Sequence, residues 1–89
     1  MMRVAVVEVG SGLHPEEVVV SVLTRDGEAK LAVDKEAIHG KTLRVGYPIG
    51  REGDFYLIEL PRESFQGTWR VWVSKDHLTH VEEKSTVYA

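Results

Sequence analysis

The chain has 89 residues, 43% of them hydrophobic and 28% charged, with no cysteine and a formal net charge of −3 at pH 7. This length suits one domain over 1–89, and the composition lies far from the low-hydrophobicity, high-charge signature of disorder. The missing cysteines exclude disulfides, thiol nucleophiles and thiolate-ligated zinc, and the acidic balance disfavours general nucleic-acid binding, whose affinity comes from phosphate neutralisation.

At the N-terminus, Met1-Met2-Arg3-Val4-Ala5-Val6-Val7-Glu8 has one base and an apolar run interrupted by Glu8, so no secretory signal is expected. No apolar stretch approaches the roughly 20 residues that span a bilayer. A cytoplasmic domain without membrane contact is the expectation.

In chain order, β-branched and aromatic runs alternate with Gly, Pro, Asp and Ser at the spacing of a small all-β domain. The pattern predicts strands over Arg3 to Val9, ended by Gly10-Ser11-Gly12, and over Val18 to Thr24 and Ala29 to Val33. The last two flank Arg25-Asp26-Gly27-Glu28, where Asp-Gly is expected to supply the positive φ angles of a tight hairpin. A helix from Pro15 is the rival reading of the first of this pair, because Pro15, Glu16 and Glu17 form a helix-start pattern. The β-branched block Val18-Val19-Val20-Ser21-Val22 favours the strand.

Further strands are predicted over Lys41 to Tyr47, Phe55 to Leu60 and Thr68 to Val73, with Pro48 to Gly53 as the longest and most mobile loop. The segment Val81 to Tyr88 reads either as an edge strand or as a frayed end.

Three segments echo one another: Val33 to Gly40, Leu60 to Gly67, and Val73 to His80. Each begins with an apolar strand end, then a turn-forming residue (Asp34, Pro61, Ser74), a base, an acid, any residue and an apolar residue. Asp, Pro and Ser start helical turns, and an early acid favours the exposed N–H groups there, so each echo predicts a single helical or 3-10 turn. Ile38, Phe65 and Leu78 are then expected to fold back over the core, with Gly40 and Gly67 reversing the chain. The expected core holds Val33, Leu43, Val45, Ile58, Leu60, Phe65, Trp69, Val71 and Leu78.

The expected fold is mainly β: a small, strongly bent antiparallel barrel or sandwich with short helical turns between strands. In this placement of turns it resembles the SH3-like group of small barrels. That resemblance implies an architecture and no particular function.

Few motifs carry chemistry. Gly10-Ser11-Gly12 follows a strand, as in a dinucleotide-binding fingerprint, but Pro15 stands where the third glycine belongs, and no cofactor is expected. His77 and His80 are spaced to share a metal, with Asp76, Glu82 or Glu83 as a third ligand; a metal-dependent or hydrolytic enzyme using them is the weaker functional alternative. No nucleophile elbow occurs.

Alternation through Trp69-Arg70-Val71-Trp72-Val73 sends Trp69 inward and Trp72 outward with Arg70, and along the fourth strand it sends Leu43, Val45 and Tyr47 inward and Arg44 outward. Trp72, Arg70 and Arg44 are therefore the candidate binding face, because aromatic and Arg residues dominate binding hot spots. The leading expectation is a non-enzymatic module that pairs with itself or another protein through this face or an exposed strand edge. The alternative is nucleic-acid binding, with Trp72 stacking a base and Arg44, Arg70, Arg62 and Lys75 on phosphates. The ordinary alternative for Trp72 is a face covered within the chain.

Overall fold

A computed structural model describes residues 2–80. Ten strands follow in order: β1 (Met2–Ala5), β2 (Val7–Ser11), β3 (Glu17–Thr24), β4 (Gly27–Asp34), β5 (Ile38–His39), β6 (Thr42–Val45), β7 (Gly50–Glu52), β8 (Phe55–Glu59), β9 (Arg70–Ser74) and β10 (Leu78–His80). Single 3-10 turns at Lys35–Ala37 and Lys75–His77 precede β5 and β10. The protein is thus mainly β. Its strands form three antiparallel sheets, of order β10-β1-β6-β5, β2-β3-β4 and β7-β8-β9, and no closed barrel joins them among the described residues. No described helix is long and apolar enough to cross a membrane.

The segment from Pro15 is not helical: β3 pairs along its whole length with β4. The β-branched block decides the matter, because β4 gives its side chains a partner strand. At the hairpin tip only Gly27 has a positive φ, of 122°, while Asp26 does not, so the reversal rests on Gly27 alone. The predicted first strand breaks in two at Val6, whose N–H still donates to the Lys41 carbonyl beside β6 at 2.9 Å, before the chain passes into the β2-β3-β4 sheet. The loop expected over 48–53 contains β7, paired with β8. Residues 81–88, left between strand and frayed end, lie outside the described residues.

The chain traces one path twice. A lead strand in the central sheet (β1, β6) is followed by a three-stranded sheet (β2-β3-β4, β7-β8-β9), a 3-10 turn, and a short strand returning to the central sheet (β5, β10). The registers agree: Val4 lies opposite Leu43, Leu78 opposite Val4, and Ile38 opposite Leu43, as a two-fold axis between β1 and β6 requires.

The residues before the two turns match as well. Asp34 has φ −65° and ψ 141°, and Ser74 has φ −65° and ψ 142°. Lys35 N–H donates to the Glu16 carbonyl, and Lys75 N–H to that of Asp54, both at 2.8 Å. Each long hairpin also clasps the other half: Arg25 N–H donates to the Trp72 carbonyl and Phe65 N–H to that of Lys30, both at 2.8 Å.

This duplication explains the first and third echoes. The middle one has a different structure. In the β8–β9 loop, Leu60 N–H donates to the Trp69 carbonyl at 2.7 Å and Ser64 N–H to that of Thr68 at 2.8 Å, so the segment closes on itself without a 3-10 turn. Phe65 rides at its tip, 65% exposed, and Trp69 just before β9 is 53% exposed, which corrects the expectation that both are buried. Trp69 lies outside the β8–β9 ladder, so strand alternation does not govern it.

One core lies between the central sheet and the inner faces of the two hairpins. Val33, Leu43, Val45, Ile58, Leu60 and Val71 are buried as expected, joined by Val4, Val6, Val18, Val20, Val22, Ala29, Leu31 and Val73. Ile38 and Leu78 pack against this cluster from the paired returning strands.

Candidate functional site

Cross-strand register sets the outer face of the second half. Leu57 on β8 stands between Gly50 on β7 and Trp72 on β9. Because Gly50 has no side chain, the Trp72 ring extends toward β7, reaching 3.8 Å from where a Gly50 Cβ would sit. Above it lies Arg25, its guanidinium carbon 4.9 Å from the Trp72 ring centre and 5.6 Å from that of Phe55. Arg25 Nη1 donates to Glu52 Oε1 at 2.7 Å, and Arg70 Nε donates to Glu59 Oε2 at 3.1 Å on the opposing residue pair. Trp72 is partly buried as a result, covered from within the chain by a residue of the other half.

Trp72 and Arg70 thus share a face as alternation predicts, but Arg44 does not join them. It lies on β6 of the central sheet, opposite Arg3, and β6 pairs with β1 and β5 but not with β9. The sequence-based face assumed that β6 and β9 are neighbours; the duplication instead makes the lead strands neighbours of each other. Arg62 and Lys75, the other expected phosphate contacts, face carboxylates: Arg62 approaches Glu17 at 3.0 Å and Asp34 at 3.7 Å, and Lys75 approaches Asp54 at 3.6 Å.

His77 ends the second 3-10 turn and is partly buried, whereas His80 is exposed on β10 with its ring centre 5.8 Å from that of Tyr47. Among the described residues no group of three His, Cys, Asp or Glu side chains is placed to hold a metal ion. Glu82 and Glu83 lie outside the described residues.

The equivalent face of the first half has no such cover. Register matches Gly10, Val19 and Ala32 to Gly50, Leu57 and Trp72, so a methyl group stands where the second half has an indole. Val19 and Ala32 are partly buried; in the next rows of this face Val7, opposite Ser21, is 65% exposed and Leu23, opposite Glu28, is 55% exposed. Ser21, beneath Val7, is buried and donates to Glu28 Oε1 at 2.7 Å. β2 is one of the two edge strands of this sheet, and a bulge between Glu8 and Gly10 leaves Val9 outside the ladder. Sequence reasoning missed this face because Val7 and Val19 read as ordinary strand residues. The available signal was the pairing of Ala32 with Trp72 that the echo implies.

A cleft of about 550 Å³ opens beside Arg44, walled by Tyr47, Leu60, Pro61 and Glu59. Comparison with known proteins yields no matching family model, no matching curated protein and no matching solved structure.

Proposed function

We propose that the chain is a non-enzymatic interaction module that associates with protein, in the simplest case a second copy of itself, through the outer face of β2-β3-β4. One observation carries the reading. Of two equivalent faces, the second is covered by Trp72 and Arg25, while the first has Ala32 in place of the indole and also exposes Val7 and Leu23. An aliphatic patch of this kind on a small domain marks an interaction surface. The bulge at Val9 twists the edge away from simple ladder extension, so the contact is made by side chains packing over Ala32.

The reading predicts that molar mass, followed by light scattering over a concentration series, rises from monomer to dimer. Leu23→Lys should hold the chain monomeric without unfolding it. Ala32→Trp, which supplies the missing cover, should do the same. A wild-type chain that stays monomeric through millimolar concentration while remaining folded refutes self-association through this face.

A further inference from the structure

The outer face of the central sheet carries a different feature. Arg3 on β1 and Arg44 on β6 are directly opposite in an antiparallel pair. Like charges directly opposite destabilise a sheet, because the side chains start roughly 5 Å apart at Cβ. Neither guanidinium is within salt-bridge distance of a carboxylate among the described residues, where Arg25, Arg62 and Arg70 all are. Glu59, which borders the same cleft as Arg44, is engaged by Arg70.

Arg3 Nε is buried and has no hydrogen-bond acceptor among the described residues. A buried, charged donor without an acceptor is costly, and native proteins rarely leave one without a reason.

The surroundings point the same way. Register places Thr79 of β10 beside Arg3, and Ala5 and Thr42 as the next opposed pair, with His39 of β5 beyond Thr42. No acidic residue lies on this face among the described strand residues. The Ala5–Thr42 pair is small, so the two Arg side chains have room to converge. Thr42 Oγ1 donates to the His39 carbonyl at 2.7 Å, leaving Thr79 as the free hydroxyl beside the pair.

We propose that Arg3 and Arg44 form an oxyanion clamp for a phosphate monoester, with Thr79 as an additional donor. Two guanidiniums provide +2 against a group that carries −1.5 to −2 at neutral pH, and each offers a planar fork matched to phosphate oxygens. A single carboxylate would leave half of this charge unmatched. The bound anion removes the repulsion between the two Arg side chains and gives Arg3 Nε an acceptor. The clamp is on the central sheet, separate from the aliphatic face of β2-β3-β4, and stands or falls independently of it.

Inorganic phosphate is the probe, with sodium chloride at matched ionic strength as reference. In the wild type, phosphate should shift the Arg3 and Arg44 Nε–H resonances and the Thr79 amide, and at about ten times its Kd should raise Tm by roughly 5 °C or more. Arg44→Gln should weaken phosphate binding at least about tenfold. Arg44→Glu should raise Tm in chloride, because it turns a repulsive cross-strand pair into an attractive one, and should abolish the phosphate response.

Resonance shifts no larger than those in chloride overturn the proposal. So does an Arg44→Gln variant that binds phosphate as the wild type does, or an Arg44→Glu variant less stable in chloride than wild type. A single-stranded oligonucleotide bound more than a hundredfold tighter than phosphate would reassign the clamp to a phosphodiester backbone and overturn the monoester.

Discussion

Truncating the two tryptophans in turn separates the observed placement from strand alternation, which predicts the opposite order of costs. Trp72 is partly buried across Leu57 and Gly50 with Arg25 stacked on it, and its carbonyl receives Arg25 N–H. Full burial makes Trp→Ala cost about 3–5 kcal/mol. Partial exposure lowers this, and loss of the Arg25 cation–π contact adds about 0.5–1 kcal/mol, so Trp72→Ala should cost about 3 kcal/mol. The Arg25–Glu52 ion pair adds little, since both side chains are substantially exposed.

Trp69 is 53% exposed, with no stacked cation and no ring partner among the described residues. Trp69→Ala should therefore cost about 1 kcal/mol or less. Urea melts followed by far-ultraviolet circular dichroism measure both, since tryptophan fluorescence is itself altered. A double-mutant cycle with Arg25→Ala should return a coupling of about 0.5–1 kcal/mol between Arg25 and Trp72. The reasoning is refuted if Trp69→Ala costs as much as Trp72→Ala, or if the Arg25–Trp72 coupling is nil.

Further outcomes follow from the same geometry. Ser64 is buried, accepts from Thr68 N–H at 3.0 Å and pairs with Thr68 Oγ1 at 2.6 Å; Ser64→Ala should cost about 1–2 kcal/mol in the same melts. Gly40 has φ +63° with nothing near its missing Cβ, so Gly40→Ala should cost about 1 kcal/mol from backbone strain alone. Gly46 is equally uncrowded but has no positive φ, and Gly46→Ala should be neutral or slightly stabilising. Ile58→Ala should cost about 2–5 kcal/mol, and Phe65→Ala, at an exposed loop tip, under about 1 kcal/mol; comparable losses would place Phe65 in the core after all.

What the sequence made legible was local. The Asp26-Gly27 hairpin, the turns at Lys35 and Lys75, and the inward phase of Leu43, Val45, Ile58 and Val71 each depend on residues a few places apart, where turn chemistry and alternation act directly. Alternation failed wherever its ladder ended. Trp69 lies one residue before β9, and Tyr47 two residues after β6, and both are exposed.

The middle echo misled for a related reason. Leu60 to Gly67 has the composition of the other two, but Leu60 N–H and Ser64 N–H donate to the Trp69 and Thr68 carbonyls and Phe65 N–H to Lys30, whereas Lys35 N–H and Lys75 N–H donate to Glu16 and Asp54 before the hairpin of their own half. The candidate face failed at longer range. Arg25 over Trp72, and Arg3 opposite Arg44, join residues far apart in sequence, and only the two-fold arrangement of the halves brings them together.

That arrangement also separates architecture from specialisation. Where the halves agree, the residues serve the fold: Val4 with Leu43, Val20 with Ile58, Leu31 with Val71 and Val33 with Val73 are all buried at equivalent positions. Core packing constrains both members of each pair equally, so their likeness needs no functional cause. Where the halves differ, packing leaves the choice open. Ala32 against Trp72 decides which outer face is covered, and Arg3 against its counterpart Thr42, with Arg44 against Ala5, gathers both guanidiniums of the central sheet onto one side of the axis. A symmetric distribution of those two charges would keep them in separate cross-strand pairs. Their collection into a single opposed pair costs the free protein stability, which is the physical reason to look for an anion there.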